Sequence, residues 1–405
     1  MRIWRFKEVK NVVITSAVRT AIGRIGGTLK DVPAEDLTSM VIKGAVSKSG
    51  ISTDMIDEII IGQTKQSTDA PNIARVAALK AGIPEEVPAY TVHRQCSSGL
   101  QAIINAVWQI QVGYADIIVA GGVESMSTAP YYLRNARFGY SSGNGELLDP
   151  NTESQPKSQP EDIYGRFTMG MTAENLAEMY KIHRHEQDQF AYESQCKAIH
   201  AIDSGRFQDE IIEVEIKQKK KVIIFKEDEH PRRDTNLEQL AKLPPVFKEN
   251  GTVTAGNSSG RNDGAAAVVI MAEEKAQEIG IKPLARFVSA GIAGVNPKIM
   301  GIGPVPAVLK ALKRAGLSLK DIDLIELNEA FAAQSLAVIK ELDLNRDIVN
   351  VNGGAIALGH PLGCSGTRIT VTLLHEMSKR QSKFGIATIC VAGGLGLAAI
   401  FENLR

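Results

Sequence analysis

The two halves of this sequence follow the same succession of strands and helices, and that repetition limits the possible folds more than any single motif. Residues 119–122 and 391–394 both read V-A-G-G and end buried runs. In both halves, short β-branched runs alternate with runs of helical spacing, which predicts an α/β sheet covered by helices. Chance likeness between two buried strands is the alternative. Because several elements recur in order, two related α/β units are favoured.

The expected elements can be placed from hydrophobic periodicity and glycine positions. The run 115–122 is expected to be a strand that enters a glycine turn, and the run 385–394 is its counterpart. The other expected strands are 11–17, 56–62, 89–92, 267–271, 284–291, 322–326 and 348–351. The other expected helices are 35–48, 72–81, 306–315, 329–340 and one from residue 366.

Residues 131–250 differ in composition from both halves, since they contain a polar linker at 141–160 and no repeat of the strand pattern. We read them as a long excursion from the first unit. The predicted organisation is therefore a first half at 1–130 completed by 251–280, an inserted domain at 131–250, and a second half at 281–405.

Composition excludes several classes of protein. The 46 Lys and Arg balance the 46 Asp and Glu, so neither nucleic acid nor an anionic membrane is an expected partner. Four scattered cysteines form no disulfide framework and no zinc-ligand spacing, and no apolar run has the length of a membrane span. The first seven residues are too few and too charged for a signal peptide. We expect a cytoplasmic protein without a metal site.

Cys96 is the first candidate for chemistry. A strand-like run ends at Val92, and a helix of small residues begins just after Cys96, with Ser97 and Ser98 as expected capping residues. Free N–H groups and the positive end of the helix dipole favour a thiolate there. The alternative is a small buried hydrophobic residue, which is how most free cysteines behave.

Three further residues fall where strands run into helices or turns. Asn328 follows a strand and precedes a helix, and His360 lies in a glycine-rich turn before a helix. Cys390 lies at the end of the last core strand, next to Gly393 and Gly394. In α/β sheets the carboxyl ends of strands are where ligands and catalytic groups gather. A site shared by these residues and Cys96 is therefore expected.

Seven motifs, in order along nearly the whole chain, resemble those of the thiolase family: V-H-R-Q-C-S-S-G-L-Q-A, A-G-G-V-E-S-M-S-T-A-P, M-G-M-T-A-E-N, A-G-N-S-S-G-R-N-D-G-A-A-A, N-E-A-F-A, G-G-A-I-A-L-G-H-P-L-G-C-S-G and C-V-A-G-G-L-G. The resemblance implies an α/β fold of duplicated halves forming a layered αβαβα core. It also implies that the inserted loop domain covers a coenzyme A site, and that the protein is a homo-oligomer, a dimer or a tetramer.

The resemblance also implies roles for individual residues. Cys96 would accept the acyl group, His360 would deprotonate it, and Cys390 would move a proton at the α-carbon of the second acyl group. Asn328 would hold a water that, with His360, stabilises the enolate. Backbone N–H groups of Cys96 and of the turn after Cys390 would stabilise a second oxyanion. The residues expected along the coenzyme A channel are Met169, Arg232, Ser259, Met300 and Phe331.

The sequence departs from the family pattern at three positions. His93 stands where asparagine is common, and we expect it to act behind the nucleophile rather than as its base. Ala392 stands where glycine is usual, which would strain the backbone if a positive φ were required. Thr168 stands where several short-chain members have a histidine that contacts the acetoacetyl group, which leaves room for longer chains.

The resemblance favours an acetyl-CoA C-acetyltransferase that joins two acetyl-CoA into acetoacetyl-CoA and CoA, reversibly, with coenzyme A as substrate and no permanently bound cofactor. The alternative is a broad-chain 3-ketoacyl-CoA thiolase of fatty acid β-oxidation. A ketoacyl synthase is less favoured, because that chemistry needs no second cysteine. A non-catalytic acyl-CoA-binding or lipid-binding protein would lack one of the four groups, and all four are present.

Overall fold

A computed structural model describes residues 9–218 and 221–405. The start of the chain, on which the expectation about a signal peptide depends, lies outside them. The strands are β1 Val12–Thr20, β2 Gly23–Arg24, β3 Glu58–Gly62, β4 Ala89–Val92, β5 Ile117–Ser125, β6 Tyr132–Leu133, β7 Leu147–Leu148, β8 Ile211–Ile212, β9 Val214–Gln218, β10 Lys221–Phe225, β11 Asn262–Ala272, β12 Ala285–Gly294, β13 Leu324–Leu327, β14 Phe384–Val391 and β15 Leu395–Asn403. The helices are α1 Ala34–Ser49, α2 Ile73–Lys80, α3 Ser98–Gln111, α4 Pro150–Glu153, α5 Glu161–Tyr164, α6 Met169–Tyr180, α7 Arg184–Asp203, α8 Leu237–Ala241, α9 Glu273–Glu278, α10 Pro304–Ala315, α11 Ala332–Leu342, α12 Ala355–Leu358 and α13 Leu362–Arg380.

The elements stack in five layers with α3 and α13 at the centre. Buried side chains of these two helices form one core with β5 and β11 on one side and β14 and β15 on the other. Helices α1 and α2 cover the outer face of the first sheet, and α10 and α11 cover the outer face of the second. The predicted αβαβα architecture is confirmed.

The strand order reproduces the repeat. Along the sheet of the first half the order is β4-β3-β5-β11-β1, along that of the second half it is β13-β14-β15-β12, and a short pairing of β1 with β12 joins the two. The expected strand at 348–351 is reduced to one bridge between Val349 and Ile325. It does not extend because a short 3₁₀ turn precedes it and Asn350 has a left-handed φ of 45°. When residue 349 is counted as a strand beside β13, as β4 lies beside β3, the two halves have the same strand order.

The prediction of a glycine turn after residue 120 was wrong. β5 continues straight through Gly121 and Gly122 to Ser125. These glycines serve close packing instead, since a Cβ on Gly122 would lie 2.2 Å from the carbonyl oxygen of Gly363. In the second half the same pair does form a turn, with φ of 88° at Gly393 and 86° at Gly394.

The first turns of α3 and α13 cross so closely that only glycine fits at the contact. A Cβ on Gly99 would lie 2.8 Å from the Gly363 carbonyl oxygen, and one on Gly366 would lie 2.5 Å from the Leu100 nitrogen. Backbone-to-backbone packing of this kind explains the glycines of both motifs. It brings the loops that precede the two helices, which carry Cys96 and His360, to the same end of the central layer.

Candidate active site

Cys96 lies at a sharp backbone turn between β4 and α3. Gln95 before it has a left-handed φ of 45°, a sparsely populated conformation for a residue with a side chain. The hydroxyl of Ser97 donates to the Arg94 carbonyl (2.9 Å), and that of Ser98 donates to the Gln95 carbonyl (2.7 Å). Ser97 is the N-cap residue of α3, as expected, but its side chain makes no capping hydrogen bond, and Ser98 is the first residue of the helix. They hold the turn that presents Cys96.

The side chain of Cys96 is half-buried at this turn. Burial raises the pKa of Cys96 above its usual value. The N–H of Ala392, which donates to the sulfur, and the charge of Lys65 both lower this pKa, but by less than burial raises it. The expected preference for thiolate is thus outweighed by desolvation. A base is needed to form the nucleophile.

His360, the candidate for that base, lines the same cavity as Cys96. The hydroxyl of Ser365 donates to the Pro361 carbonyl (3.0 Å), so its oxygen accepts the Nδ1–H of His360 at 2.6 Å. This leaves Nε2 as the free acceptor. Burial, with a smaller contribution from the charge of Arg368, lowers the pKa of His360 to about 3. The imidazole is therefore neutral at physiological pH, as a base must be.

Cys390 is the last residue but one of β14 and is fully buried. Burial and the nearby Cys96 sulfur raise the pKa of Cys390 far above its usual value. The strain foreseen at Ala392 does not arise. The left-handed residues of this turn are Gly393 and Gly394, and Ala392 contributes its N–H without a positive φ.

Asn328 is buried directly after β13, and neither atom of its side-chain amide has a hydrogen-bond partner among the described residues. Buried amides are normally paired, so these two atoms are suited to bind a water or a substrate. The adjacent Glu329 holds this loop, since its carboxylate accepts from Ser194 Oγ (2.6 Å), Asn350 Nδ2 (2.8 Å) and the Ile356 N–H (3.2 Å).

A cavity of about 180 Å³ is lined by Cys96, His360 and Cys390. Four of the five residues expected along the coenzyme A channel line it as well, namely Met169, Ser259, Met300 and Phe331. The fifth, Arg232, lines an adjoining cleft that opens to the surface. Both cavities share the residues Phe247, Ser258, Ser259 and Gly260. A long ligand could pass from Arg232 to the three catalytic candidates.

The other two departures lie outside the cavity lining. Thr168 is the N-cap of α6, where its hydroxyl accepts from the Met171 N–H at 3.4 Å. His93 is exposed beside the turn, and desolvation, with a smaller contribution from the charge of Lys65, lowers its pKa. Neither side chain is among those that enclose Cys96, so the role expected for His93 stays a prediction.

Three residues of the site were missed by the sequence analysis. Phe247 packs edge-on against Phe331 (6.0 Å between ring centroids) and lines both cavities. The P-P-V-F run at 244–247 was the available signal. Asn262 Oδ1 accepts from the His360 N–H (3.0 Å), and Glu124 accepts from the Gly363 N–H (2.9 Å). Both lie within recognised motifs, but contacts between distant segments cannot be read from a motif.

Comparison with known proteins agrees with this geometry. The family profile "Thiolase, N-terminal domain" matches residues 12–274, and "Thiolase, C-terminal domain" matches residues 281–403. The chain belongs to the thiolase family. It is 52% identical to the acetyl-CoA acetyltransferase of Syntrophomonas wolfei over 98% of this chain and 100% of that one.

Two solved structures resemble this thiolase closely. The Bacillus anthracis acetyl-CoA acetyltransferase superimposes with a TM-score of 0.96 at 51% identity, covering 98% of this chain and 100% of that one. Human mitochondrial 3-ketoacyl-CoA thiolase in complex with CoA superimposes with a TM-score of 0.93 at 47% identity, covering 98% and 99%.

The described residues contain neither a membrane-spanning helix nor a metal-binding cluster. No helix there has the length and apolar character needed to cross a membrane. No three His, Cys, Asp or Glu side chains in residues 9–218 and 221–405 cluster in a way that would bind a metal ion.

Proposed function

We propose that this thiolase is an acetyl-CoA C-acetyltransferase that interconverts two acetyl-CoA with acetoacetyl-CoA and CoA. The observation that carries the proposal is the cavity shared by Cys96, His360 and Cys390, which continues into the cleft beside Arg232. A reactive thioester would enter at the three catalytic groups while the remainder of coenzyme A extends toward Arg232. The names of the Syntrophomonas and Bacillus relatives support this substrate.

In the first half-reaction, Nε2 of His360 takes the proton of the Cys96 thiol. The thiolate attacks the acetyl carbonyl of acetyl-CoA, the bond to the CoA sulfur breaks, and the departing thiolate takes the proton back from His360. An acetyl thioester remains on Cys96. The Ala392 N–H, which lies against the Cys96 sulfur, and the Cys96 N–H are the donors proposed for the oxyanion.

In the second half-reaction, Nε2 of His360 takes the proton of the Cys390 thiol, and the Cys390 thiolate removes a proton from the methyl carbon of a second acetyl-CoA. The resulting enolate attacks the acetyl thioester and releases acetoacetyl-CoA and the Cys96 thiolate, which takes the proton back from His360. The high pKa of Cys390 suits this step, because only a strong base removes a weakly acidic C–H proton. The unpaired amide of Asn328 would hold the water that, with His360, stabilises the enolate oxygen.

The test is the loss of acetoacetyl-CoA absorbance on addition of CoA to the purified protein. Wild type should cleave acetoacetyl-CoA, and Cys96→Ala should reduce the rate by at least about 10⁴-fold, because the covalent route is lost. Cys196→Ala is the matched control, since Cys196 is an exposed cysteine outside the cavity lining. An inactive wild type, or a fully active Cys96→Ala, would contradict the proposal.

The second candidate, a broad-chain 3-ketoacyl-CoA thiolase, is favoured by the likeness to the human enzyme of that name. Profiling the cleavage rate against 3-ketoacyl-CoAs of increasing length separates the two. A rate that falls steeply beyond acetoacetyl-CoA supports the acetyltransferase. Decarboxylation of labelled malonyl-CoA would instead indicate a ketoacyl synthase.

The proposal also includes the domain organisation, the location in the cell and the oligomeric state. We take 131–250 as the loop domain that covers the coenzyme A site, 1–130 with 251–280 as the first half, and 281–405 as the second. We propose a cytoplasmic homotetramer, with a homodimer as the alternative, that serves fatty acid metabolism and holds no permanent cofactor. Sedimentation of the purified protein distinguishes the two assemblies.

A further inference from the structure

Lys65 is a buried lysine beside the active-site cavity that none of the proposed steps uses. It follows β3 and is 6% exposed. Its Nζ donates to the Pro150 carbonyl (2.9 Å) and to Ser154 Oγ (2.5 Å). The carboxylates of Glu124 and Asp149 act on its charge from nearby, but among the described residues no carboxylate lies within ion-pair distance of Nζ. A buried ammonium without a carboxylate partner is costly, and an apolar side chain would fill the space without that cost. Packing alone does not account for it.

The two acceptors of Lys65 lie at either end of α4 and begin a chain of contacts that reaches the reacting groups. Ser158 Oγ donates to the Ser154 carbonyl (2.8 Å), and Gln95 Nε2 donates to Ser158 Oγ (3.4 Å). On the other side, the Ser158 carbonyl packs so tightly on Gly393 that a Cβ there would come within 2.7 Å. Residues 150–158 thus touch the neighbour of Cys96 and the turn after Cys390.

This segment belongs to the wall of the Cys96 cavity. Asn151, Ser154, Gln155 and Ser158 line that cavity but not the cleft beside Arg232. A thioester whose coenzyme A portion lies in the cleft would have its acyl group at Cys96, within the cavity that these polar residues line. Asn151 is buried, and its Oδ1 has no partner among the described residues. The position of this wall decides how long an acyl chain can be.

We propose that Lys65 is a positioning residue for acyl-chain length, because its ammonium ties both ends of α4 in place and so fixes the polar wall at residues 150–158. The inference rests on the proposed function and extends it to the length of the acyl group. Without the tie, α4 and the turn after it can move outward, and a longer chain gains room.

The test compares kcat/KM for cleavage of acetoacetyl-CoA with kcat/KM for 3-ketohexanoyl-CoA. In Lys65→Met, the ratio of the first to the second should fall at least about fivefold, which corresponds to roughly 1 kcal/mol of discrimination. Lys65→Arg keeps a buried cation with several donors and should restore much of the ratio. Lys379→Met is the matched control, because Lys379 also donates to a backbone carbonyl, that of Arg206, but lies outside the cavity lining.

Ser154→Ala removes one of the two acceptors while it keeps the ammonium, and it should lower the ratio in the same direction by a smaller factor. An unchanged ratio in Lys65→Met would overturn the inference. If Lys65→Met does not fold, an unchanged ratio in Ser154→Ala would overturn it. Failure of the proposed function is distinguishable in wild type, which would then cleave neither substrate or, as a broad-chain thiolase, cleave both at similar rates.

Discussion

Burial, rather than the local helix, controls the protonation states of the three reacting side chains. Cys96 stands at the N-terminal end of α3, yet desolvation raises its pKa, and the same effect holds His360 neutral. A neutral thiol and a neutral imidazole are therefore the resting pair. In the proposed mechanism the thiolate therefore forms when His360 takes the proton during attack, and it is not stored as an ion pair beforehand.

The neutrality of His360 makes a prediction about stability. The pKa of His360 is about 3 in the folded protein, and an unfolded histidine titrates near 6.5. The unfolded state then binds one more proton below pH 6.5, so the stabilisation is complete above that pH and is lost as pH falls toward 3. Between pH 6 and 4 the free energy of unfolding of wild type should fall by about 1.4 kcal/mol per unit more steeply than that of His360→Asn.

Urea unfolding of both proteins at several pH values measures this difference. The buried His375 and His230, whose pKa values are also lowered by burial, are present in both proteins, so their contributions cancel. Parallel pH dependences for the two proteins would show that His360 is protonated in the folded state.

Cys390→Ser should separate the two half-reactions. The serine hydroxyl is a far weaker acid than a thiol, so proton removal from the second acetyl-CoA should slow by about 10²–10⁴-fold. Acetylation of Cys96 should persist, because it depends on His360. Mass spectrometry of protein incubated with acetyl-CoA detects the acetyl group, and an absorbance assay follows condensation. If condensation keeps the wild-type rate, Cys390 does not carry the proton.

The contact between α3 and α13 joins the two halves of the site, and its glycines are required by distance rather than by flexibility. Gly99 and Gly366 lie within helices and have no positive φ, but each faces backbone atoms of the other helix. Two helix ends that approach this closely can place their preceding loops side by side. The glycine-rich motifs around Cys96 and His360 therefore encode a packing distance.

Gly366→Ala should destabilise the protein by about 2 kcal/mol, because the added methyl group would meet the Leu100 backbone and overpack the core. It should also reduce activity, since the Cys96 and His360 loops would separate. Gly294→Ala is the control, because the nearest atom to its added Cβ would be 3.9 Å away. Denaturant unfolding measures both variants. Equal stability of the two would mean that the helices separate without cost.

One buried charge cluster ties the inserted segment to both halves of the molecule. Arg19 on β1 pairs with Asp228 through two hydrogen bonds (2.7 and 2.9 Å) and with Glu210 through a third (2.6 Å). Thr372 of α13 also donates to Glu210, at 3.1 Å. These residues come from the first half, the segment 131–250 and the second half. The cluster therefore ties Glu210 and Asp228 to β1, and Glu210 also to α13.

Arg19→Met should lower the free energy of unfolding by about 3–5 kcal/mol, because it leaves two buried carboxylates without their cation. Arg233→Met is the comparison, since Arg233 and Asp203 form a pair in which both side chains are more than half exposed, and it should change stability little. Urea unfolding at pH 7 measures both. A small effect of Arg19→Met would indicate that water reaches the cluster.

The sequence by itself determined the local backbone and the residue types that carry the chemistry. Hydrophobic periodicity located most strands and helices of the repeat, since alternating burial is recorded within a few residues. The motifs singled out Cys96, His360, Cys390 and Asn328, and the structure brings the first three into one cavity. Their proposed roles stay predictions.

Only the tertiary structure decided what meets across the molecule. It showed Gly122 as a packing residue, Phe247 as a lining residue of both cavities, and Lys65 bonded to Ser154 in the lining of the Cys96 cavity. It also reversed the expectation for the Cys96 thiol. The physical reason is common to all of these: desolvation and steric contact depend on atoms that lie far away in sequence, and local patterns contain no record of them.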